Sequence, residues 1–174
     1  MNASDDHPGD GADAARVRRP AHGVERRAIA MWALRALAVW GAALTALLVA
    51  YGLWESARPW LLAPAVAAGA MLLVRVAVEP WWRFRVHRWE LTEHAAYATT
   101  GWLVQEWRVS PVSRIQTVDA VRGPIEQLLG LSTLRVTTAS SYGAIKVQGL
   151  DRAVAEEAST RLAKAAELTE GDAT

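Results

Sequence analysis

Few residues in this chain are of the types, at the spacings, that chemistry requires. His87 and His94, with Glu90 and Glu93 nearby, are the only grouping that suggests a metal site. No Cys exists to complete it, and the two acids read as ordinary strand and turn residues. Ser140, Ser141 and Tyr142 carry hydroxyls, yet no base stands at a spacing that would activate them, and a hairpin loop accounts for them better. The chain contains no glycine-rich phosphate loop, no His-Glu-x-x-His and no nucleophile elbow. The expectation is therefore a protein that is not an enzyme and needs no cofactor or metal. A formal charge of +1 gives no support to a nucleic-acid partner.

What the sequence offers instead is arginine in clusters. Arg83, Arg85 and Arg88 form one cluster, a candidate contact with the membrane surface. Arg114, Asp119 and Arg122 flank a Gly-Pro turn and form a candidate face for a protein partner. The simpler alternatives remain open. The first three would only set topology, and the second three would only brace the turn by capping and salt bridging.

The element that places these clusters is an apolar hairpin. Ala36 to Trp54 is nineteen residues without formal charge, and Pro59 to Val74, extended by Val76-Ala77-Val78, is a second apolar run. Each is long enough at about 1.5 Å per residue to cross a hydrocarbon core of about 30 Å. Glu55 to Arg58 joins them. A helical hairpin over residues 28–80 is expected, with spans near 30–54 and 59–78. Arginines crowd its outer ends: Arg16, Arg18, Arg19, Arg26, Arg27 and Arg35 before, Arg75, Arg83, Arg85 and Arg88 after. The positive-inside rule then places both termini in the cytoplasm. Trp54 and Trp60 suit an outer aromatic belt and Trp81-Trp82 an inner one. Arg35 and Arg75 lie within or beside the spans, and snorkelling to the nearer interface is their economical reading. Small residues at spacings of four, Gly41/Thr45 and Ala65/Gly69, permit close packing of the two spans.

Residues 1–27 read as a disordered tail, acidic first and then basic. Pro80 predicts the end of the second helix. From Arg83 to Thr92 apolar and polar residues alternate, predicting one bulged strand or two short ones. Further strands are predicted at Ala95–Thr100, Trp102–Val109 and Val112–Val121. Pro124 then opens a helical turn that Gly130 stops. Leu134, Val136 and Thr138 alternate with Arg135 and Thr137 in the clearest strand, with Leu134 facing the core. Ile145 and Val147 mark its return partner. Asp151 caps a last helix ending near Leu168, with a stripe of Val154, Ala158, Leu162 and Ala165 and a short tail over 169–174. The sum is about six strands, one helical turn after the fourth and a closing helix.

Several segments together resemble a known family. They are the apolar hairpin, Trp81-Trp82-Arg83-Phe84-Arg85-Val86, Ser113 to Asp119, Arg122 to Leu134 and Gly149-Leu150-Asp151. They are similar to the bacterial membrane proteins with a pleckstrin-homology-like (PH-like) domain, the YdbS-like family, over roughly residues 28–168. The resemblance implies an α+β chain: a two-helix transmembrane hairpin, then a PH-like antiparallel β domain over residues 81–168 closed by a C-terminal helix. It implies little chemistry. The phosphoinositide-binding loop of such domains would fall at Thr92-Glu93-His94, which lacks the basic residues for that ligand. The expected function is a membrane-anchored binding or scaffold module on the inner face of the cytoplasmic membrane. Its partners would be the lipid bilayer and a protein, either a related PH-like membrane protein or a second copy. The alternative is an accessory subunit of a transport or envelope-maintenance complex, acting through the hairpin.

Overall fold

The computed structural model describes residues 20–92, 94–138 and 144–171, and for 167–171 the backbone alone. The expected disorder of residues 1–19, Glu93 in its turn, and the Ser140-Ser141-Tyr142-Gly143 loop lie outside the described residues.

A short strand β1 (His22–Gly23) precedes the helix α1 (Arg27–Leu53). A single helical turn leads into α2 (Arg58–Leu73), a π-helical turn at Val74–Val78 and α3 (Glu79–Val86). Two helical stretches, Arg27–Leu53 and Glu55–Val86, are long and apolar enough to cross a membrane. Then follow β2 (Arg88–Leu91), β3 (Ala95–Gly101), β4 (Gln105–Pro111), β5 (Ile115–Val121), α4 (Pro124–Leu129), β6 (Leu131–Thr138), β7 (Ile145–Asp151) and α5 (Arg152–Gly171). The strands form two antiparallel sheets, β1-β2-β3-β4 and β5-β6-β7, packed as a small sandwich. The hairpin, the antiparallel domain and the closing helix agree with the architecture that the sequence implies.

Two sequence expectations fail at the domain's entrance. The first is that Pro80 ends the second helix; it instead sits in the first turn of α3, and the helix runs on to Val86. Proline is tolerated there because it lacks an N–H that the first turn does not use. The π turn just before it supplies the local change of pitch. The predicted strand over 83–86 is therefore helix, and only Arg88–Leu91 pairs, with β3. The second is that the tail is disordered as far as residue 27. His22 and Gly23 pair with Trp89 and Arg88, and the His22 ring lies 5.5 Å from that of Trp89.

The core lies between the sheets and beneath α5. Leu131, Leu134 and Val136 of β6, Ile145, Val147 and Leu150 of β7, and Ala155, Ala158 and Leu162 of α5 are buried. On α5 the buried stripe starts at Ala155, not at Val154, which is exposed. The small side chain at 155 lets the helix lie close on the sheet.

The first helix also belongs to this core. Ala28, Met31 and Trp32 are buried within the same cluster, and the burial of Met31 and Trp32 contributes on the order of 3–6 kcal/mol. Gly149 makes the approach possible. It adopts φ +79°, and a Cβ there would stand 2.4 Å from the Cβ of Ala28.

Leu134 is 1% exposed at the centre of the three-stranded sheet. Leu134→Ala should lower stability by about 2–5 kcal/mol, read as a lower thermal midpoint of the full chain in detergent micelles. An unchanged midpoint would show that Leu134 does not carry the core.

Candidate functional site

The junction between the helices and the sandwich concentrates the polar chemistry. The π turn at Val74–Val78 sets Arg75 one turn ahead of Glu79, and α3 sets Arg83 one turn after it. Glu79 is buried, and its two oxygens accept from Arg75 at 2.8 Å and Arg83 at 3.3 Å. The Arg83 guanidinium lies 4.8 Å from the centre of the Trp32 ring. Gln148 of β7 closes the cluster: its Oε1 accepts from Trp32 Nε1 at 3.2 Å and from Arg83 Nη2 at 3.4 Å. His87, 2% exposed, packs 5.0 Å from Trp32.

A second cluster joins α1 to α4. Glu126 is 3% exposed, and three groups from different parts of the chain satisfy it. The Gly123 N–H donates to it at 2.6 Å, capping α4, and the Thr133 hydroxyl donates at 2.5 Å. Arg35 completes the set with an ion pair at 3.2 Å. Arg35 thus reaches into the domain, and Arg75, besides Glu79, lies 5.7 Å from the centre of the Trp102 ring. Both arginines are thus paired within the protein. A third tie is Arg27, which donates to Asp151 at 2.6 Å and to the Leu129 carbonyl at 3.1 Å. The N–H of Ala153 and the Arg27 guanidinium both hold the Asp151 carboxyl below the usual carboxylate range.

Beside the first cluster an open cleft of about 340 Å³ lies between the sheets. Arg83, Arg108, Lys146 and Glu106 line it, with His87 and Gln148 at its helix side. Arg108 pairs with Glu106 at 2.8 Å and also donates to the Ala144 carbonyl. The lining has a cationic surplus and suits an anion better than a cation.

Helical geometry separates the first candidate cluster. Arg83 and Arg85 are two residues apart on α3 and point about 200° apart, so they do not share a face. Arg83 points to Glu79 and the cleft. Arg85 and Arg88 come together at a smaller cleft of about 190 Å³ on the other side, with Trp107 and Gln105. The second cluster is spread along β5. Arg114 precedes the strand and is exposed, Asp119 is exposed opposite Arg135, and Arg122 donates to the Leu131 carbonyl at 3.2 Å. Arg122 therefore braces the turn. His87 and His94 stand at opposite ends of β2 and are not brought together.

Sequence reasoning missed Glu79, Glu126, Trp32 and Gln148. One local signal pointed to Glu126, because an acid three residues after Gly123 is the mark of a helix start. Its pairing with Arg35 had no local signal.

Glu126→Ala would strand Arg35, Thr133 and the Gly123 N–H together, at a cost of about 3–5 kcal/mol. Chemical denaturation of the full chain in micelles measures it, and a loss under about 1 kcal/mol would mean the pair is effectively solvated. His87 gives a pH prediction. Burial first, and the charge of Arg83 second, push its pKa down from 6.5 to about 4. The folded state thus refuses a proton that the unfolded state accepts. Stability should be full above pH 6.5 and fall as pH drops toward 4, by at most about 3 kcal/mol. Thermal midpoints across that range should show the decline, and His87→Gln should remove this share of it.

The sequence matches the Bacterial PH domain family over residues 28–166. It is also 28% identical over 100 residues to the transmembrane protein YdbS of Bacillus subtilis (strain 168). That alignment covers 58% of this chain and 62% of the relative, so the chain spans under two thirds of the relative's length. No solved structure matches. The family match begins at Ala28, the first buried residue of α1, and so takes in the hairpin as well as the sandwich. The chain, a membrane-associated PH-like module, belongs to the bacterial PH domain family.

Proposed function

We propose that this chain is a non-catalytic binding module, fixed by its hairpin on the inner face of the cytoplasmic membrane, where its sandwich meets a protein partner or lipid. The observation that carries this reading is the sharing of α1 between two environments. Ala28, Met31 and Trp32 are core residues of the sandwich, while the helix beyond them is apolar and exposed. With Arg35 on Glu126 and Arg27 on Asp151, the domain has no flexible tether on which to turn. A module built this way presents the same faces at the same height above the bilayer. Fixed presentation serves recognition more directly than turnover.

Arg85 and Arg88, beside Trp107, are the residues of the first cluster free to face headgroups or a partner, and Arg83 is a positioning residue. Arg114 and Asp119 offer an exposed polar edge on the other sheet. The alternative, an accessory subunit acting through its hairpin, draws support from the exposed apolar surface of α1 and α2. Deleting the domain would not separate the two readings cleanly, because it would strip the cover from Met31 and Trp32.

Both termini should be cytoplasmic. A reporter that is active only in the cytoplasm should work when fused after Thr174. Activity there of a reporter that needs export would overturn the inner-face reading.

A further inference from the structure

We infer that the turn between β3 and β4, Trp102-Leu103-Val104, is a lipid-embedded wedge that enters the headgroup–acyl boundary of the leaflet nearest the domain. The inference rests on the reading that the hairpin spans the bilayer. Leu103 is 78% and Val104 74% exposed, at the tip of a hairpin where polar turn residues are the norm. The turn's shape is enforced by Gly101. It adopts φ +111°, and any Cβ there would meet the Val104 carbonyl at 1.9 Å. A tip this tightly folded presents its apolar side chains outward as a fixed feature.

Its height identifies the occupant. The Trp102 ring lies 5.7 Å from the guanidinium of Arg75, which belongs to the apolar stretch of the second span. Arg75 sits one helical turn to the membrane side of Glu79. The exposed Trp81 and Trp82, the inner aromatic belt, follow on the next turn. The β3–β4 turn is thus level with the base of the span. Charge agrees: the cleft behind the turn, which Gly101 and Val104 help to line, carries Arg83, Arg108 and Lys146 against Glu106, a cationic surplus at the level where lipid phosphates would stand. Apolar residues at the tip with cations behind them match the order of acyl chain and phosphate in a leaflet.

The chain has no cysteine, so a single introduced Cys takes one fluorophore. An added label is needed because nine tryptophans confuse intrinsic fluorescence. Full chains carrying Leu103→Cys, Leu48→Cys in the first span or Arg161→Cys on the exposed side of α5 are labelled with an environment-sensitive dye. They are reconstituted in phosphatidylcholine–phosphatidylglycerol vesicles holding nitroxide lipids, spin-labelled at the headgroup or at mid-chain. The Leu103 label should be quenched several-fold more than the Arg161 label, chiefly by the headgroup nitroxide. The Leu48 label should be quenched chiefly by the mid-chain one. Leu48 quenched with Leu103 no different from Arg161 would overturn the wedge and leave the hairpin reading intact. Failure of both labels to quench would overturn both readings. A Leu103 label that reports a dry environment without lipid quenching would mean a protein covers the tip, and would also sink the proposal.

Discussion

Everything in this molecule depends on one helix serving two solvents. At about 1.5 Å per residue the 27 residues of α1 extend about 40 Å, some 10 Å more than a hydrocarbon core requires. The surplus is the first two turns, and these carry Ala28, Met31 and Trp32 into the sandwich core. From Ala36 onward the helix is uncharged and its apolar side chains lie open. No loop separates the two regimes. A rigid rod shared in this way fixes the distance and tilt of the domain relative to the span, and the close contact at Gly149 fixes how far the rod enters.

The polar clusters around that rod play a different part from the apolar contacts. Glu79 and Glu126 are both buried carboxylates, and both are paired with arginines of the hairpin helices. Desolvating such charges costs about as much as their attraction returns, so the pairs add little net stability. Their value lies in the penalty for every wrong arrangement. If α1 rotated by one residue, Arg35 would leave Glu126 with a buried, unmatched charge. If α3 slid, Glu79 would lose both partners. Met31, Trp32 and Leu134 hold the structure together, and the carboxylates select the orientation. The π turn belongs to the same device, since it resets the helical phase so that Arg75, Glu79 and Arg83 fall on the side facing Trp32.

This division explains what was legible in the sequence. The segments Pro124–Thr138 and Ile145–Asp151 could be read residue by residue because their signals are local. Proline and glycine bracket α4, and Leu134, Val136, Ile145 and Val147 keep strict alternation over one buried face. Phe84 and Val86 alternate just as well, yet they continue a helix, because a pattern of four residues is compatible with either period and the preceding span decides. Stopping a helix at Pro80 assumed an unbroken pitch ahead of it, which the π turn does not supply. Arg35 and Glu126 carried no signal of each other at all, since only the tertiary fold brings α1 onto α4. For the same reason the candidate clusters drawn from the linear sequence were divided by geometry. Three arginines within six positions point to two different clefts.

On the proposed reading as a binding module, the covering of the sandwich leaves little choice about where recognition takes place. The helix α5 lies over β5 and β6, while α1 and α3 close β7 and β3 at the membrane side. Among the described residues, the edge strand β4 exposes Trp107 and Val109, with Arg85 and Arg88 beside Trp107. A soluble domain exposing such an edge would invite indiscriminate pairing. Here the hairpin removes two of the three rotational freedoms of that edge relative to the bilayer. It can meet only what lies in the membrane plane or approaches from the domain's side of the bilayer at a fixed height. Specificity that a free domain would have to encode in side-chain complementarity is thus supplied in part by the anchor.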